Sequence, residues 1–170
     1  KGYKYSIEAF AEIAARFPYL KYVIVGQGPE RENLKSQISN LKLGDKVIFF
    51  DGVEEDFLVE LYCNAELFVL LPQDVGKDIE GFGLVFLEAA ACSLPIVSAL
   101  GTSAEDAISD GKNGILVPQN DFIKTADVIT KILSDRDLMN SFSKESIRFA
   151  RSMSWQRAAN SYLEVYKNLL

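Results

Sequence analysis

The chain has 170 residues, 48% of them apolar and 25% charged, which suffices for one globular domain with its own core. With 18 basic against 24 acidic side chains the formal charge is −6, which speaks against sequence-independent binding of nucleic acid. No apolar run approaches the roughly 20 residues of a membrane span, nothing at the start reads as a secretory signal, and the absence of histidine excludes Ser–His and Cys–His pairs and histidine metal ligands.

Residues 5–17 read as a helix, with Phe10, Ile13, Ala14 and Phe17 on one face and Pro18 as its stop. Tyr22–Val25 reads as a buried strand running into Gly26-Gln27-Gly28-Pro29-Glu30. A dinucleotide fingerprint would need a third glycine where Arg31 stands, so this loop reads as a strand-to-helix turn. A helix over 30–40, a strand over 47–50, a helix over 56–65 and a strand over 67–71 follow, the last ended by Pro72. Asp51, Glu54, Glu55, Asp56 and Glu60 read as a solvated helix face with an acidic start that suits the helix dipole. Cys63 and Cys92 lack CxxC spacing and sit among apolar neighbours, which predicts buried free thiols in a reducing compartment.

Residues 73–79 form a polar loop, and behind it stands Glu80-Gly81-Phe82-Gly83-Leu84-Val85-Phe86-Leu87-Glu88-Ala89. The two glycines allow a sharp turn and a close backbone approach, and helix formers run from Leu84 to the stop at Pro95. The first turn of such a helix offers unpaired N–H groups and the positive dipole end, a ready phosphate site. Glu80 before the turn and Glu88 one turn into the helix can accept hydrogen bonds from hydroxyls on either side of that phosphate. Short strands are expected at 96–98 and 115–117, a turn at Asp110-Gly111-Lys112-Asn113-Gly114, and two or three closing helices, the last over 155–170 with Trp155 accounted for by packing. Continuous apolar strands alternating with helices indicate an α/β fold: one Rossmann-like, doubly wound parallel sheet covered on both faces, in a single domain over residues 1–170.

Glu80-x7-Glu88, with its glycine-bearing core, resembles the E-x7-E signature of the retaining GT-B glycosyltransferases, in the large group that includes mannosyl- and glucosyltransferases of glycolipid, capsule and lipopolysaccharide synthesis. Val25-Gly26-Gln27-Gly28-Pro29-Glu30, Gly101-Thr102-Ser103-Ala104-Glu105 (Thr102 replacing the family's second glycine), and a final helix opening at Ser154-Trp155 with Tyr162, Val165, Tyr166 and Leu169 on one face are similar to the same family, in the same order. The resemblance implies the C-terminal, donor-binding half of such an enzyme. Glu80 would be the catalytic residue contacting the donor sugar. Gly81, Phe82, Gly83 and Leu84 would bring loop amides to sugar and diphosphate, Glu88 would hold the ribose, Lys1 would meet the diphosphate, and Val53 would lie near the nucleobase. It implies a nucleotide-diphosphate sugar as donor, no cofactor and no required metal. A glycan or glycolipid acceptor, any usual catalytic histidine and any peripheral membrane contact would belong to an N-terminal domain, and the location would be cytoplasmic. It also implies that the sheet's first strand ends just before Lys1. The sheet order 3-2-1-4-5-6 would then leave Tyr22–Val25 and Leu67–Leu71 with unpaired inner edges.

Three other readings compete: a nucleotide-sugar epimerase of GT-B fold, a non-catalytic nucleotide-sugar module, and a glycosidase using Glu80 and Glu88. A retaining glycosidase needs carboxyls about 5 Å apart, whereas a loop Glu and a helix Glu eight residues on should flank a ligand.

Overall fold

A computed structural model describes residues 1–73 and 83–169, in which helix and strand alternate along the chain. Helix α1 (Tyr3–Ile13) is followed by β1 (Tyr22–Val25), α2 (Arg31–Asn40), β2 (Val47–Phe50), α3 (Glu55–Cys63) and β3 (Phe68–Val69). Then come α4 (Leu84–Ala91), β4 (Ile96–Ala99), a short 3₁₀ turn (Ser103–Asp106), β5 (Gly114–Val117), and the closing helices α5 (Phe122–Ser134), α6 (Arg136–Ser152) and α7 (Trp155–Leu169).

Among the described residues all strand pairing is parallel, and it falls into two sheets. In one, β1 pairs with β2, Tyr22 opposite Val47. In the other, β4 lies between β3 and β5, with Ile96 opposite both Phe68 and Gly114. Among the described residues β1 and β3 do not pair with each other, as the expected strand order requires. Strand β3 is shorter than the apolar run 67–71 because its ladder to β4 engages only Phe68 and Val69.

The two sheets nevertheless share one core. Ile7, Phe10 and Ile13 of α1 pack with Ile24, Val47, Val97 and Val117 from both sheets and with Ile129 and Ile132 of α5. On the opposite face of the second sheet Leu70 and Ile96 pack with Phe86 and Ala90 of α4 and with Ala104, Ala107 and Ile108. Neighbouring residues Ile96 and Val97 thus serve opposite faces, and all four residues of β4 are buried, as a strand between two helical layers must be. Helices α5 and α6 start on Asp121 and Asp135, whose carboxylates accept from Lys124 N at 2.8 Å and Leu138 N at 2.9 Å. Each such cap stabilises by about 1 kcal/mol. The buried Ser146 hydroxyl of α6 lies 2.7 Å from the Leu94 carbonyl and 3.2 Å from that of Asn113, tying α6 to the entrances of β4 and β5.

The acidic stretch is solvated as expected: Asp51, Glu54, Glu55, Asp56 and Glu60 are all exposed. Trp155 departs from expectation. Its side chain is 83% exposed, and with Tyr162, Val165 and Tyr166 it forms an exposed apolar face on α7, so packing within the described residues does not account for it.

Candidate functional site

Helix α4 begins on Gly83, whose backbone is left-handed (φ 70°, ψ 61°). A side chain there would collide as well as strain: a Cβ would stand 2.7 Å from Phe86 Cδ2. Phe86 is fully buried and edge-on to Phe68, with ring centroids 5.8 Å apart. That aromatic pair fixes the height of the first turn of α4, at which Leu84 is left 56% exposed. Among the described residues no side chain caps this turn, and the first amides and the dipole give it a positive end.

A second helix likewise starts on a glycine. Gly2, the residue before α1, is also left-handed (φ 69°), and a Cβ on it would lie 1.8 Å from the Leu71 carbonyl oxygen. This contact holds the exposed Lys1 near the end of the apolar run 67–71, where the chain enters the loop ahead of α4. Tyr3, the first residue of α1, packs against the cluster that also holds Phe86 of α4. The sequence marked Lys1 and the glycine turn separately. The placing of Lys1 beside Leu71 rests on Gly2, which no spacing rule singles out.

Glu88 is exposed on α4, one turn in from the helix start. Its Oε2 accepts a hydrogen bond of 3.1 Å from the hydroxyl of Tyr62 on α3. Burial and then the charge of Glu88 push the Tyr62 phenol well above its ordinary range, so it stays protonated and remains a donor. The Tyr62 ring in turn leans on Phe68, with centroids 5.8 Å apart. Tyr62 is a residue that sequence reasoning missed: a tyrosine near the end of a helix, 26 positions before its partner, carries no local signal.

Val53 is half-buried in the loop after β2, on the neighbouring sheet, and nothing described joins it to α4. Beside it, Asp51 forms an ion pair with Arg31, whose guanidinium also lies 4.9 Å from the centroid of the Phe49 ring. The Gly101–Glu105 turn is closed by Glu105, which accepts from Gly101 N at 2.5 Å, while Thr102 donates to the Ala99 carbonyl at 2.8 Å. Glu80, Gly81 and Phe82 lie outside the described residues, and their expected positions are not part of this geometry. Among the described residues no three acidic or thiol side chains cluster to hold a metal ion, and no helix is long and apolar enough to cross a membrane.

The cysteines overturn one expectation. Cys63 is exposed and Cys92 half-buried, and their sulfurs are 3.5 Å apart across the ends of α3 and α4. The apolar neighbours in sequence suggested burial, but α3 buries none of its residues.

The sequence profile of the family described as glycosyl transferases group 1 matches residues 1–149. The chain belongs to that family. A GDP-mannose-dependent alpha-(1-6)-phosphatidylinositol monomannoside mannosyltransferase of Mycolicibacterium smegmatis is 32% identical over 137 residues, covering 79% of this chain and 36% of that enzyme. A D-inositol 3-phosphate glycosyltransferase of Acidothermus cellulolyticus is 32% identical over 180 residues, covering 100% of this chain and 39% of that enzyme. Among solved structures, HepE of Anabaena in complex with UDP-glucose superposes with a TM-score of 0.81 at 22% identity, covering 100% of this chain and 46% of that one. The chain therefore spans about two-fifths of the length of these curated relatives. As a group 1 glycosyltransferase chain it carries the expected mixed α/β, Rossmann-like fold.

Proposed function

We propose that this chain is the donor-binding half of a retaining glycosyltransferase. The observation that carries the reading is the opening of α4: a left-handed glycine, a helix start that no described side chain caps and an exposed carboxylate one turn in, inside a group 1 glycosyltransferase sequence. The start of α4 binds the diphosphate of a nucleotide sugar through its backbone amides and dipole. Glu88, whose Oε2 carries the Tyr62 hydroxyl in the free chain, accepts hydrogen bonds from the ribose diol, one of them in place of Tyr62. Lys1 adds a positive charge from the start of α1. Glu80 and the amides of Gly81 through Leu84 contact sugar and diphosphate, and Val53 lies towards the base.

The chemistry is sugar transfer: the bond between anomeric carbon and diphosphate oxygen breaks, a bond to an acceptor hydroxyl forms, and anomeric configuration is retained. The demand on this half is to stabilise the negative charge that grows on the departing diphosphate. Preorganised amides at a helix start meet that demand without reorganising during the reaction. The acceptor, a glycan or a glycolipid, is bound by a separate domain that closes the cleft. Among the described residues β1 and β3 each leave one edge without a strand partner, which supports a further strand between them.

The donor's base and sugar are open to direct test. GDP-mannose, on which one similar enzyme depends, and UDP-glucose, bound in a similar solved structure, are each added to the full-length enzyme, with matching free diphosphates as controls. One of them raises the melting midpoint and supports transfer to an added acceptor. Conversion of the sugar without any acceptor would indicate an epimerase, and binding without turnover a non-catalytic module.

A further inference from the structure

Two links join the same pair of helix ends. Tyr62 bonds Glu88, and the next residue, Cys63, places its sulfur 3.5 Å from that of Cys92, one turn beyond Glu88. Helix α3 is otherwise lightly held: none of its residues is buried, and its ring contacts are Phe57 edge-on to Phe50 and Tyr62 against Phe68. The two sulfurs are in van der Waals contact, and a bond of about 2.05 Å needs only a small closing of α3 on α4. Cys63 is open to solvent, so an external reagent reaches it directly.

We propose that Cys63 and Cys92 are a thiol pair that a small-molecule disulfide closes, and that closure pins α3 to α4 and weakens nucleotide binding at Glu88. The Cys63 thiolate attacks one sulfur of glutathione disulfide, whose S–S bond breaks, and one glutathione thiolate leaves. The Cys92 thiolate then attacks the Cys63 sulfur of the mixed disulfide and expels the second glutathione. Two electrons pass from the two cysteines to glutathione disulfide, and the two cysteine protons end on the two glutathione thiols. Burial and the Glu88 charge hold the Cys92 thiol above its ordinary range, so the second attack is the slow one and accelerates with pH.

The effect on binding rests on the assignment of Glu88 to the donor ribose. In the dithiol protein Tyr62 can withdraw to let a ribose hydroxyl take its place on Glu88. With Cys63 bonded to Cys92, the residue beside Tyr62 is fixed to α4 and that exchange is hindered. The loss of about one hydrogen bond corresponds to an affinity lower by about fivefold.

The test uses full-length protein treated with glutathione disulfide or with dithiothreitol, followed by peptide mapping and calorimetric titration with UDP and GDP. The expected result is a cross-linked 63–92 peptide pair lighter by two hydrogens, absent in Cys63→Ser and Cys92→Ser, with nucleotide affinity about fivefold lower only in the oxidised wild type. A glutathione adduct that persists on Cys63 while Cys92 stays free overturns the pair. A closed pair with unchanged nucleotide affinity overturns its control of the site. If the reduced protein binds neither nucleotide, the donor-site reading itself fails, and the peptide map alone accepts or rejects the pair.

Discussion

Replacing Gly83 by alanine separates two costs that the structure keeps distinct. The backbone at Gly83 is left-handed at φ 70°, which costs an L-residue about 1–2 kcal/mol. The new methyl would also stand 2.7 Å and 2.9 Å from two carbons of the Phe86 ring. That ring is fully buried against Phe68, so it cannot swing aside, and the repacking costs about 1–3 kcal/mol more. Gly111 supplies the control: its φ is 72°, but nothing lies within 4 Å of where its Cβ would go. Gly111→Ala should therefore lose only the backbone share, and Gly83→Ala about 2–5 kcal/mol in all. At roughly 2–4 °C per kcal/mol, Gly83→Ala lowers the midpoint of this domain's transition in the full-length protein by about 4–20 °C. Calorimetric or urea unfolding of both variants measures the difference, and a Phe86→Leu background should shrink the Gly83→Ala loss towards the Gly111→Ala value. Gly83→Ala also displaces the first turn of α4, so affinity for nucleoside diphosphate should fall with stability, whereas Gly111→Ala leaves affinity unchanged. Equal losses from the two alanines would refute the claim that the aromatic pair sets the position of α4.

Glu88→Gln in the full-length enzyme should raise the donor KM by about tenfold or more, since charge-assisted bonds to two hydroxyls are worth about 1.5–3 kcal/mol; unchanged steady-state constants would remove Glu88 from the site. Glu80→Gln should depress turnover while leaving affinity for the free nucleoside diphosphate nearly intact, and calorimetry showing equal loss of diphosphate binding would contradict its assignment to the sugar. The Cys92 thiol, raised from 9.0 to about 11 chiefly by burial, keeps its proton in the native state at a pH where the unfolded chain sheds it. Its contribution to stability is therefore full below pH 9.0 and is lost as pH rises to about 11, a decline that Cys92→Ser should remove from a pH series of urea midpoints.

The fold was legible because apolar runs and glycine or proline stops fall at nearly every element boundary. Strands β1 and β2 occupy the expected residues, and β4 and β5 each extend one residue further. Strand β3 came out shorter than its apolar run, since a ladder depends on a partner and not on the strand's own composition. Residues whose role depends on two distant segments were illegible. Tyr62 and Cys63 acquire partners only when the ends of α3 and α4 meet, and a lone tyrosine or cysteine in a sequence announces no such meeting. Trp155 was misjudged because aromatic residues on an amphipathic helix predict a covered face, and α7 presents that face to solvent among the described residues. Glu88 was singled out through motif spacing, whereas the seating of α1 against the end of the run 67–71 depends on Gly2 fitting against Leu71.

The division into two sheets also bears on how the chain folds. Strands β1 and β2 with their intervening helix, and β3 to β5 with α4, each form from contacts between near neighbours in the chain. Joining the blocks relies on α1 and α5, packed in one core, with Arg16 donating to the Ser134 hydroxyl across a separation of 118 residues. Closing a loop of that length is entropically slow and is rewarded only once both blocks exist. Docking of α1 on α5 is then a late event, so trimming Ile13 or Ile132 should accelerate unfolding far more than it slows folding.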